Sequence, residues 1–364
     1  MNSIYEASSR TTTIAMPASS ELILTEEIQT PSTSLPNTLT SVLEALDLPL
    51  NDGRRVEAVM RSLILTGCAS LPLPAHGQTR QRWKALAQVG MTDLALAKIF
   101  ESHMDALAIL AELGQPEENG EALLAVWASE APSNPLRYSN ENRVSGEKKW
   151  CSGACFVDAG LVTALNDQDE ALLLRVEMQA PGVRIETSPW IAEGMRAADT
   201  AAIHFEETPA VVVGGPNDYL QRPGFWHGGA GVAAVWYGAA VAIAQRLGQK
   251  ASKRSDPHAL AKWGAVDSQL MAVRALLLQT ADAFDREPET DGCAAALRLR
   301  ALVESLAHDI IRQATTALGP GPMVTEAEFS RRCADLQIFI RQCHAERDLE
   351  ALGQTISPEE SYLW

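Results

Sequence analysis

The sequence predicts an α+β fold in which a helical N-terminal region, a middle β domain and a C-terminal helical bundle follow one another. Three observations predict it. An apolar stripe with helical spacing marks the first part of the chain, short β-rich runs separated by Gly, Pro, Asn and Asp fill the middle, and four long helical segments complete it. The 364 residues exceed what one hydrophobic core usually covers, so several packed subdomains are expected.

The N-terminal part of the chain divides into an arm and a helical domain. Residues 1–38 are rich in Ser, Thr and Pro and show little periodicity, which is typical of a disordered arm. Residues 39–125 form the predicted helical domain. Its clearest helix follows Thr92 or Asp93 as the N-cap and stops at Gly114. Apolar residues recur along that helix at spacings of three and four: Leu94, Ala97, Met104, Leu107 and Leu110.

Residues 126–213 form the predicted β domain. They contain short runs of residues with high β-strand propensity, separated by Gly, Pro, Asn or Asp: "LVTAL", "ALLLRVEM", "GVRIETS" and "TAAIHFEE". This pattern predicts a compact antiparallel barrel. Within it, "ENRVSGEKKWCSG" has the form of a strand, a turn and a second strand, with Gly146 at the turn.

Residues 222–364 form the predicted C-terminal bundle. Four long apolar-patterned segments, at 231–248, 258–285, 293–319 and 326–353, end at Gly or Pro breaks, as in a four-helix bundle. An uncharged apolar run of fifteen residues, Ala230 to Ala244, overlaps the first segment. Because a bilayer span needs about 20 such residues, this run is interpreted as a buried core helix.

Composition narrows the classes of molecule that the protein is expected to bind. The net charge of −16 and pI near 4.9 argue against nucleic-acid binding, which needs a basic surface. The six cysteines lack the spacing of a zinc site or a disulfide framework, so reduced thiols are expected. The N-terminus lacks the apolar core of a signal peptide. These features favour a cytoplasmic protein with neither a membrane nor a metal as partner.

Two motifs in the middle region carry a family resemblance. "VSGEKKWCSGACFVDAGLVTAL" contains a Gly-x-Lys-x-Trp segment, "PGVRIETSPWIAEGMRAADTAAIHFEETPA" contains a Gly-Met-Arg segment, and "WASEAP" is a loose form of a Thr-Glu-Pro loop. With this order of domains, the chain resembles the acyl-CoA dehydrogenase family over roughly residues 40–355. The resemblance implies a helical domain, a β-barrel and a four-helix bundle with FAD between barrel and bundle. It also implies a homodimer or homotetramer, because the family's flavin sites use a neighbouring subunit.

The resemblance assigns cofactor-binding roles to particular residues. Trp150 is expected to lie against the isoalloxazine ring, and Ser152 to hydrogen-bond its edge. Ser129 takes the place of the Thr that contacts the pyrimidine side. Thr200 ends the Gly-Met-Arg segment beside the same site, and Arg254 belongs to the segment that binds the adenosine half of FAD across a dimer.

The Gly-Met-Arg segment raises a separate question about Arg196. Its guanidinium is expected to fix the turn through a charge-assisted bond to Asp199 or to a carboxylate of the bundle. Both residues are then structural supports rather than catalysts.

The sequence departs from the family at the catalytic base. The Glu position of the family's Tyr-Glu-Gly-Thr turn falls on Cys343, and the next position on His344. The alternative base position, early in the first bundle helix, offers His227 and no carboxylate. His227 and His344 are therefore the candidate catalytic residues. His103, alone on an N-terminal helix, is expected to be structural.

The motifs for the FAD tail are also incomplete, because "TALGPGP" keeps only Gly319 and Gly321 of a glycine-rich segment. FMN is therefore an alternative cofactor. Three functions stay open: oxidation of an acyl-CoA or related thioester with a non-standard base and an electron-transfer flavoprotein, a monooxygenase that takes reduced flavin from a reductase, and a non-catalytic flavin-fold subunit.

Overall fold

In the computed structural model, which describes residues 37–117, 120–129, 135–187, 190–253 and 256–356, helices come first along the chain. They are α1 (Asn37–Glu44), α2 (Gly53–Leu65), α3 (Thr79–Thr92) and α4 (Leu94–Glu112). Asp93 caps α4 by accepting the Leu96 N–H at 3.0 Å, and Gly114 follows the helix with φ 76°. The predicted cap, stop and apolar stripe of this helix are confirmed, although Leu107 is only half-buried.

Eight strands form the middle sheet: β1 (Leu124–Trp127), β2 (Arg137–Ser139), β3 (Arg143–Cys151), β4 (Ala159–Leu165), β5 (Ala171–Glu177), β6 (Val183–Glu186), β7 (Ala201–Pro209) and β8 (Val211–Val213). The order is β6-β7-β3-β2-β4-β5-β8, with β1 beside β4. The expected antiparallel pairing holds for β2–β3, β3–β7, β4–β5, β5–β8 and β6–β7, whereas β1 and β2 both run parallel to β4. The β2–β3 hairpin reverses the chain once and the turn after β3 reverses it again, so β4 regains the direction of β2.

Gly146 marks a bulge instead of the predicted turn. The strand β3 runs unbroken through it, while the register against β7 shifts between Val144 and Gly146. Gly146 has φ 126°, a conformation that L side chains rarely adopt, and this allows the extra residue to be accommodated within the strand. A second register shift lies between Lys148 and Cys151, where Trp150 has φ 63°.

The C-terminal region contains α5 (Asp218–Gln221), α6 (Gly224–Lys253), α7 (Pro257–Arg286), α8 (Cys293–Leu318), α9 (Pro320–Thr325), α10 (Ala327–Phe339) and α11 (Glu346–Thr355). The fourth predicted bundle segment is broken. Its helix α10 ends at Phe339, one 3₁₀ turn covers Ile340–Gln342, and α11 begins at Glu346. Residues 343–345 therefore lie outside any helix, between the 3₁₀ turn and α11.

The core helix of the molecule is α6. It is long and apolar enough to cross a membrane by length and composition, but 89% of its most apolar window is buried inside the protein, as the sequence predicted for a core helix. Backbones of α3 and α6 approach closely. A Cβ at Gly238 would lie 1.9 Å from the Ala87 carbonyl oxygen, and one at Gly90 would lie 2.3 Å from that of Val235.

Helix α4 joins the helical region to the sheet through side chains that replace a neighbouring strand. The Leu124 N–H donates to Nδ1 of His103 at 3.1 Å, and the Val126 N–H donates to Oγ of Ser102 at 2.8 Å. Both acceptors are buried. The structural role expected of His103 is therefore observed, and α4 sets the position of β1. The predicted domain boundaries near residues 125 and 213 stay predictions.

Candidate active site

The end of β1 lies against the segment that follows β3. The indole N–H of Trp127 donates to the Ser152 carbonyl oxygen at 3.0 Å. The Trp127 ring lies over Gly160, where a Cβ would come within 2.2 Å of it, so only glycine fits there. Ser129, two residues beyond Trp127, is exposed.

Ser152 and Thr200 form a hydroxyl pair. Their side-chain oxygens are 3.0 Å apart, and Thr200 directly precedes β7. The Gly153 N–H donates to the Ala198 carbonyl at 2.8 Å, which ties the two segments together. Ser152 is buried and Thr200 half-buried. Because each hydroxyl both donates and accepts, the pair retains hydrogen-bonding capacity for a ligand.

Trp150 presents an open aromatic ring beside this pair. It is 65% exposed, and its φ of 63° is unusual for a bulky residue. The bulge in β3 produces this conformation and turns the side chain off the strand. Trp190 contacts the ring in a T-shaped arrangement with centroids 6.5 Å apart, and the exposure of Trp150 leaves indole surface available for stacking. Arg254, the remaining predicted cofactor-binding residue, lies outside the described residues.

The Gly-Met-Arg turn is fastened to α10 through its backbone. Met195 and Asp199 have left-handed conformations (φ 60° and 49°) on either side of one 3₁₀ turn. The Met195 N–H donates to the carboxylate of Asp335, and a Cβ at Gly194 would lie 2.2 Å from the Ala334 carbonyl oxygen. Burial raises the pKa of Asp335 to about 6, although the Arg331 guanidinium opposes that change.

The hydrogen-bond partner predicted for Arg196 is wrong. Its guanidinium is exposed and bonds Glu193 at 2.8 Å, instead of Asp199 or a bundle carboxylate. The bundle carboxylate is present, as Asp335, but it accepts a backbone N–H. The left-handed turn directs the Arg196 side chain to the surface, so the turn is held by main-chain bonding instead.

His227 is buried in the first turns of α6. Its ring lies 4.5 Å from that of Phe284 in α7, and Nε2 has no hydrogen-bond partner among the described residues. Burial lowers its pKa, while a bond with the Thr290 backbone and the charge of Glu112 act in the opposite direction. The contacts recorded for His227 are with the bundle and not with the Trp150 and Ser152 side of the site.

His344 is half-exposed and oriented by Asp348. Its Nδ1 lies 3.2 Å from Oδ1 of Asp348, whose other oxygen accepts the His344 backbone N–H at 3.0 Å. This pairing fixes the ring and favours the proton on Nδ1, leaving Nε2 for a ligand. Arg300 connects the turn to α6, because it donates to the carbonyls of Gln342 and Gly229 at 2.6 and 2.9 Å.

Cys343 occupies the position at which the resemblance puts the dehydrogenase base. The residue is 3% exposed. Burial and, to a smaller extent, the hydrogen bond with Glu304 raise the pKa of its thiol to about 12. Glu304 is itself paired with Arg341. A thiol in this state is protonated at neutral pH and is a poor proton acceptor.

The comparisons with known proteins found structural matches only. TdsC from Paenibacillus sp. A11-2, in complex with FMN and indole, is 15% identical with a TM-score of 0.75, over 90% of this chain and 99% of that one. A nitrososynthase from Micromonospora carbonacea var. africana is 17% identical with a TM-score of 0.71, over 89% and 96%. KijD3 in complex with FMN is 20% identical with a TM-score of 0.69, over 90% and 93%.

The chain has the acyl-CoA dehydrogenase fold. The predicted fold class and the resemblance in architecture are thereby confirmed. No family model matches the sequence, and no curated protein matches it either. These three structural matches are 15%, 17% and 20% identical, so they establish the fold and leave the activity to be argued from the site.

The site fits the flavin that this fold family implies. A planar ring needs an aromatic surface and short hydrogen-bonding groups at its edge. Trp150 supplies an open indole, and Ser152 and Thr200 supply hydroxyls, all at the ends of strands of one sheet. The structure brings these three predicted residues together, and Ser129 follows two residues after Trp127, whose indole contacts the Ser152 carbonyl. It does not bring His227 to them.

Sequence reasoning missed the polar face of α4. Lys98, Glu101 and Asp105 follow one another at helical spacing on α4, and the Asp105 carboxylate lies against Gly228 in the first turns of α6. Charged side chains that are largely buried are found in pairs, and here Lys98 pairs with Glu101 and Arg82 of α3 with Asp105.

Proposed function

We propose that this protein is a flavin-dependent monooxygenase that works with FMN. The observation that carries the proposal is Cys343. Oxidation of an acyl thioester at its α,β carbons needs a base that removes the α-proton, and the buried thiol at this position has a pKa of about 12. Oxygenation of a substrate heteroatom does not need that base. When bound, reduced FMN would supply the two electrons with which one atom of dioxygen enters the substrate and the other, with two protons, leaves as water.

The structural neighbours support this choice. One is a dibenzothiophene monooxygenase, and another is a nitrososynthase. TdsC and KijD3 were crystallised with FMN, whereas the sequence alone favoured FAD. The incomplete FAD motifs of this chain are consistent with the smaller flavin. Their substrates or ligands, indole and a dTDP-linked amino sugar, are small molecules with nitrogen.

Each residue of the site has a role in this proposal. Trp150 stacks on the flavin ring, and Ser152 and Thr200 hydrogen-bond its edge, with Ser129 at the end of β1 as a further contact. His344, oriented by Asp348, moves a proton at the end of the bundle. His227 remains a prediction of the sequence, but its burial against Phe284 favours a packing role.

Two partners follow from the proposal. The protein receives reduced FMN from a flavin reductase, rather than passing electrons to an electron-transfer flavoprotein. It also acts as a homodimer or homotetramer, in which a neighbouring subunit completes the flavin site. A cytoplasmic location, as the composition suggests, would supply both FMN and a reductase.

The test combines the protein, FMN, an NADH-dependent flavin reductase and NADH in air with a panel of indoles, thioethers and amines, followed by mass spectrometry. We expect a product heavier by one oxygen atom from at least one class. A parallel anaerobic reaction contains FAD-loaded protein and saturated acyl-CoAs. A product lighter by two hydrogen atoms in the anaerobic reaction would overturn the proposal in favour of dehydrogenation. Failure of the protein to bind either FMN or FAD would overturn it in favour of a non-catalytic subunit.

The matched control is the His344→Ala variant beside His308→Ala. His344 has the oriented Nδ1–Asp348 pair, whereas His308 is half-exposed on α8 and lies near Glu304 at 3.9 Å. We expect turnover to fall roughly tenfold to a hundredfold in the first variant and to change little in the second. Equal turnover in both variants would remove His344 from the mechanism while leaving flavin binding intact.

A further inference from the structure

The turn that carries His344 begins where α10 ends. Helix α10 stops at Phe339, and one 3₁₀ turn covers Ile340–Gln342. His344 then follows after a single buried residue, Cys343. The last carbonyl groups of a helix have no donors within the helix, and they carry the negative end of its dipole. A cation bound to these carbonyls satisfies them and fixes the place where the chain turns.

Arg300, in α8, supplies this cation. Its guanidinium donates from Nη2 to the Gln342 carbonyl at 2.6 Å and from Nη1 to the Gly229 carbonyl in α6 at 2.9 Å. Both acceptors are main-chain groups of different elements. The planar fork of an arginine can bridge two such acceptors at once, whereas a lysine ammonium is a single point charge. Arg300 therefore joins the start of α6 to the turn before His344.

The Arg300 guanidinium also lies over Trp236 of α6. Its Cζ is 5.3 Å from the centroid of this fully buried indole. Phe339, the last residue of α10, contacts the same indole in a T-shaped arrangement, with centroids 6.3 Å apart. The two ends of the 3₁₀ turn are thus connected to one side chain of α6, Phe339 directly and Gln342 through Arg300. The turn cannot shift relative to α6 without losing one of these contacts.

Backbone strain next to His344 indicates that neighbouring contacts hold this turn. Ala345 has φ 46° and ψ −115°, a combination that residues with a Cβ rarely adopt. Such a conformation persists where the surrounding structure enforces it. On the far side, the Leu349 N–H of α11 donates to the Ala345 carbonyl at 3.0 Å. His344 therefore lies between a strained residue that α11 holds and, one residue before it, the stretch that Arg300 holds.

The charge of Arg300 also acts on Asp348, the residue that orients the His344 ring. Oδ1 of Asp348 lies 3.2 Å from Nδ1 of His344, and the other carboxylate oxygen accepts the His344 backbone N–H at 3.0 Å. Burial acts to raise the pKa of Asp348, but the bond from the His344 backbone and the charge of Arg300 lower it. An ionised Asp348 accepts a proton from Nδ1, so it selects the tautomer in which Nε2 is free.

We infer that Arg300 is the positioning residue of His344. Its fork fixes the Gln342 carbonyl against α6, and this sets where the backbone and the ring of His344 meet Asp348. The inference rests on the proposed function, because it explains how the histidine that moves a proton is held in place. A lysine at this position would keep the positive charge but would not bridge Gln342 and Gly229 at once.

The test determines the tautomer of His344 in the full-length protein without flavin, so it does not depend on oxygenation. Two-dimensional NMR of protein with ¹⁵N-labelled histidine, at mildly alkaline pH, distinguishes Nδ1–H from Nε2–H rings, and His344→Ala assigns the signals. We expect the Nδ1–H form to predominate in the wild type. In Arg300→Lys and in Arg300→Met, the ratio of the Nδ1–H form to the Nε2–H form should fall roughly threefold to tenfold.

Two controls separate positioning from misfolding. Arg298→Met removes an exposed arginine from the same helix and should leave the His344 ratio unchanged. His103 is an internal reference in every spectrum, because its Nδ1 accepts the Leu124 N–H and its ring should stay in the Nε2–H form in all variants. A wild-type His344 ratio in Arg300→Lys would overturn the inference, and so would an equal fall in Arg298→Met.

The oxygenase assay distinguishes this inference from the proposed function. Arg300→Lys should lower kcat roughly tenfold and leave the Kd for FMN unchanged, because the variant misplaces His344 without touching the flavin residues. Wild-type turnover in Arg300→Lys would overturn the positioning role. A fall of the His344 ratio in Arg300→Lys, together with no oxygenated product from the wild type, would overturn only the proposed function.

Discussion

His103 gives the fold a dependence on pH that can be worked from the structure. Its Nδ1 accepts the Leu124 N–H, so this nitrogen carries no proton in the folded state. Burial lowers the pKa of His103 from 6.5 to about 4, and the Arg61 charge contributes in the same direction. The folded state therefore binds fewer protons than the unfolded state between these values. Its contribution to stability is fully present above pH 6.5 and is lost as the pH falls towards 4.

The size of this loss follows from the two pKa values and is about 3 kcal/mol. His103→Asn keeps an acceptor for the Leu124 N–H and does not titrate. We expect the free energy of unfolding of the wild type to fall by about 3 kcal/mol more than that of the variant between about pH 7 and about pH 4. Urea unfolding followed by fluorescence measures both. Identical pH dependence in the two proteins would refute the neutral, buried imidazole and its bond to β1.

Two further predictions concern the supports of the site. Gly160→Ala forces a methyl group into the ring of Trp127 and is expected to lower the free energy of unfolding by about 1–3 kcal/mol. Gly264→Ala adds the same group in α7, where no atom lies within 4 Å of the Cβ position, and should raise it by up to about 1 kcal/mol. Thermal unfolding distinguishes them, and a stable Gly160→Ala would contradict the contact. Asp335→Ala leaves the Met195 N–H without its acceptor and should cost about 3 kcal/mol in urea unfolding; a change below about 0.5 kcal/mol would contradict that bond.

The fold was largely predictable because hydrophobic periodicity reports local structure. The α4 helix, its cap at Asp93 and its stop at Gly114 depend on neighbours in sequence, and they were confirmed. Strand direction and the bulge at Gly146 depend on partners far along the chain. A glycine with φ 126° is compatible with a turn as well as a bulge, so sequence alone favoured the commoner choice.

The positions of the site residues could be predicted where a sequence motif fixes them. They could not be predicted where the burial of a side chain decides what it contacts. Trp150, Ser152 and Thr200 lie together as expected from two matching segments. His227 was predicted as a catalyst because it stands at the alternative base position early in α6, yet the structure buries its imidazole against Phe284. The ion pair between Arg82 and Asp105 was missed because only tertiary packing brings α3 and α4 together.

The most direct test of a flavin site at Trp150 is the affinity for FMN, oxidised and reduced, in wild-type protein and in Trp150→Ala. Trp150 is 65% exposed, so its truncation should leave stability within about 0.5 kcal/mol, and Ile191→Ala, at a residue 89% exposed, is the matched surface control. The account predicts saturable FMN binding that Trp150→Ala weakens roughly tenfold and Ile191→Ala leaves unchanged. No binding of either form, or equal binding by all three proteins, would contradict it.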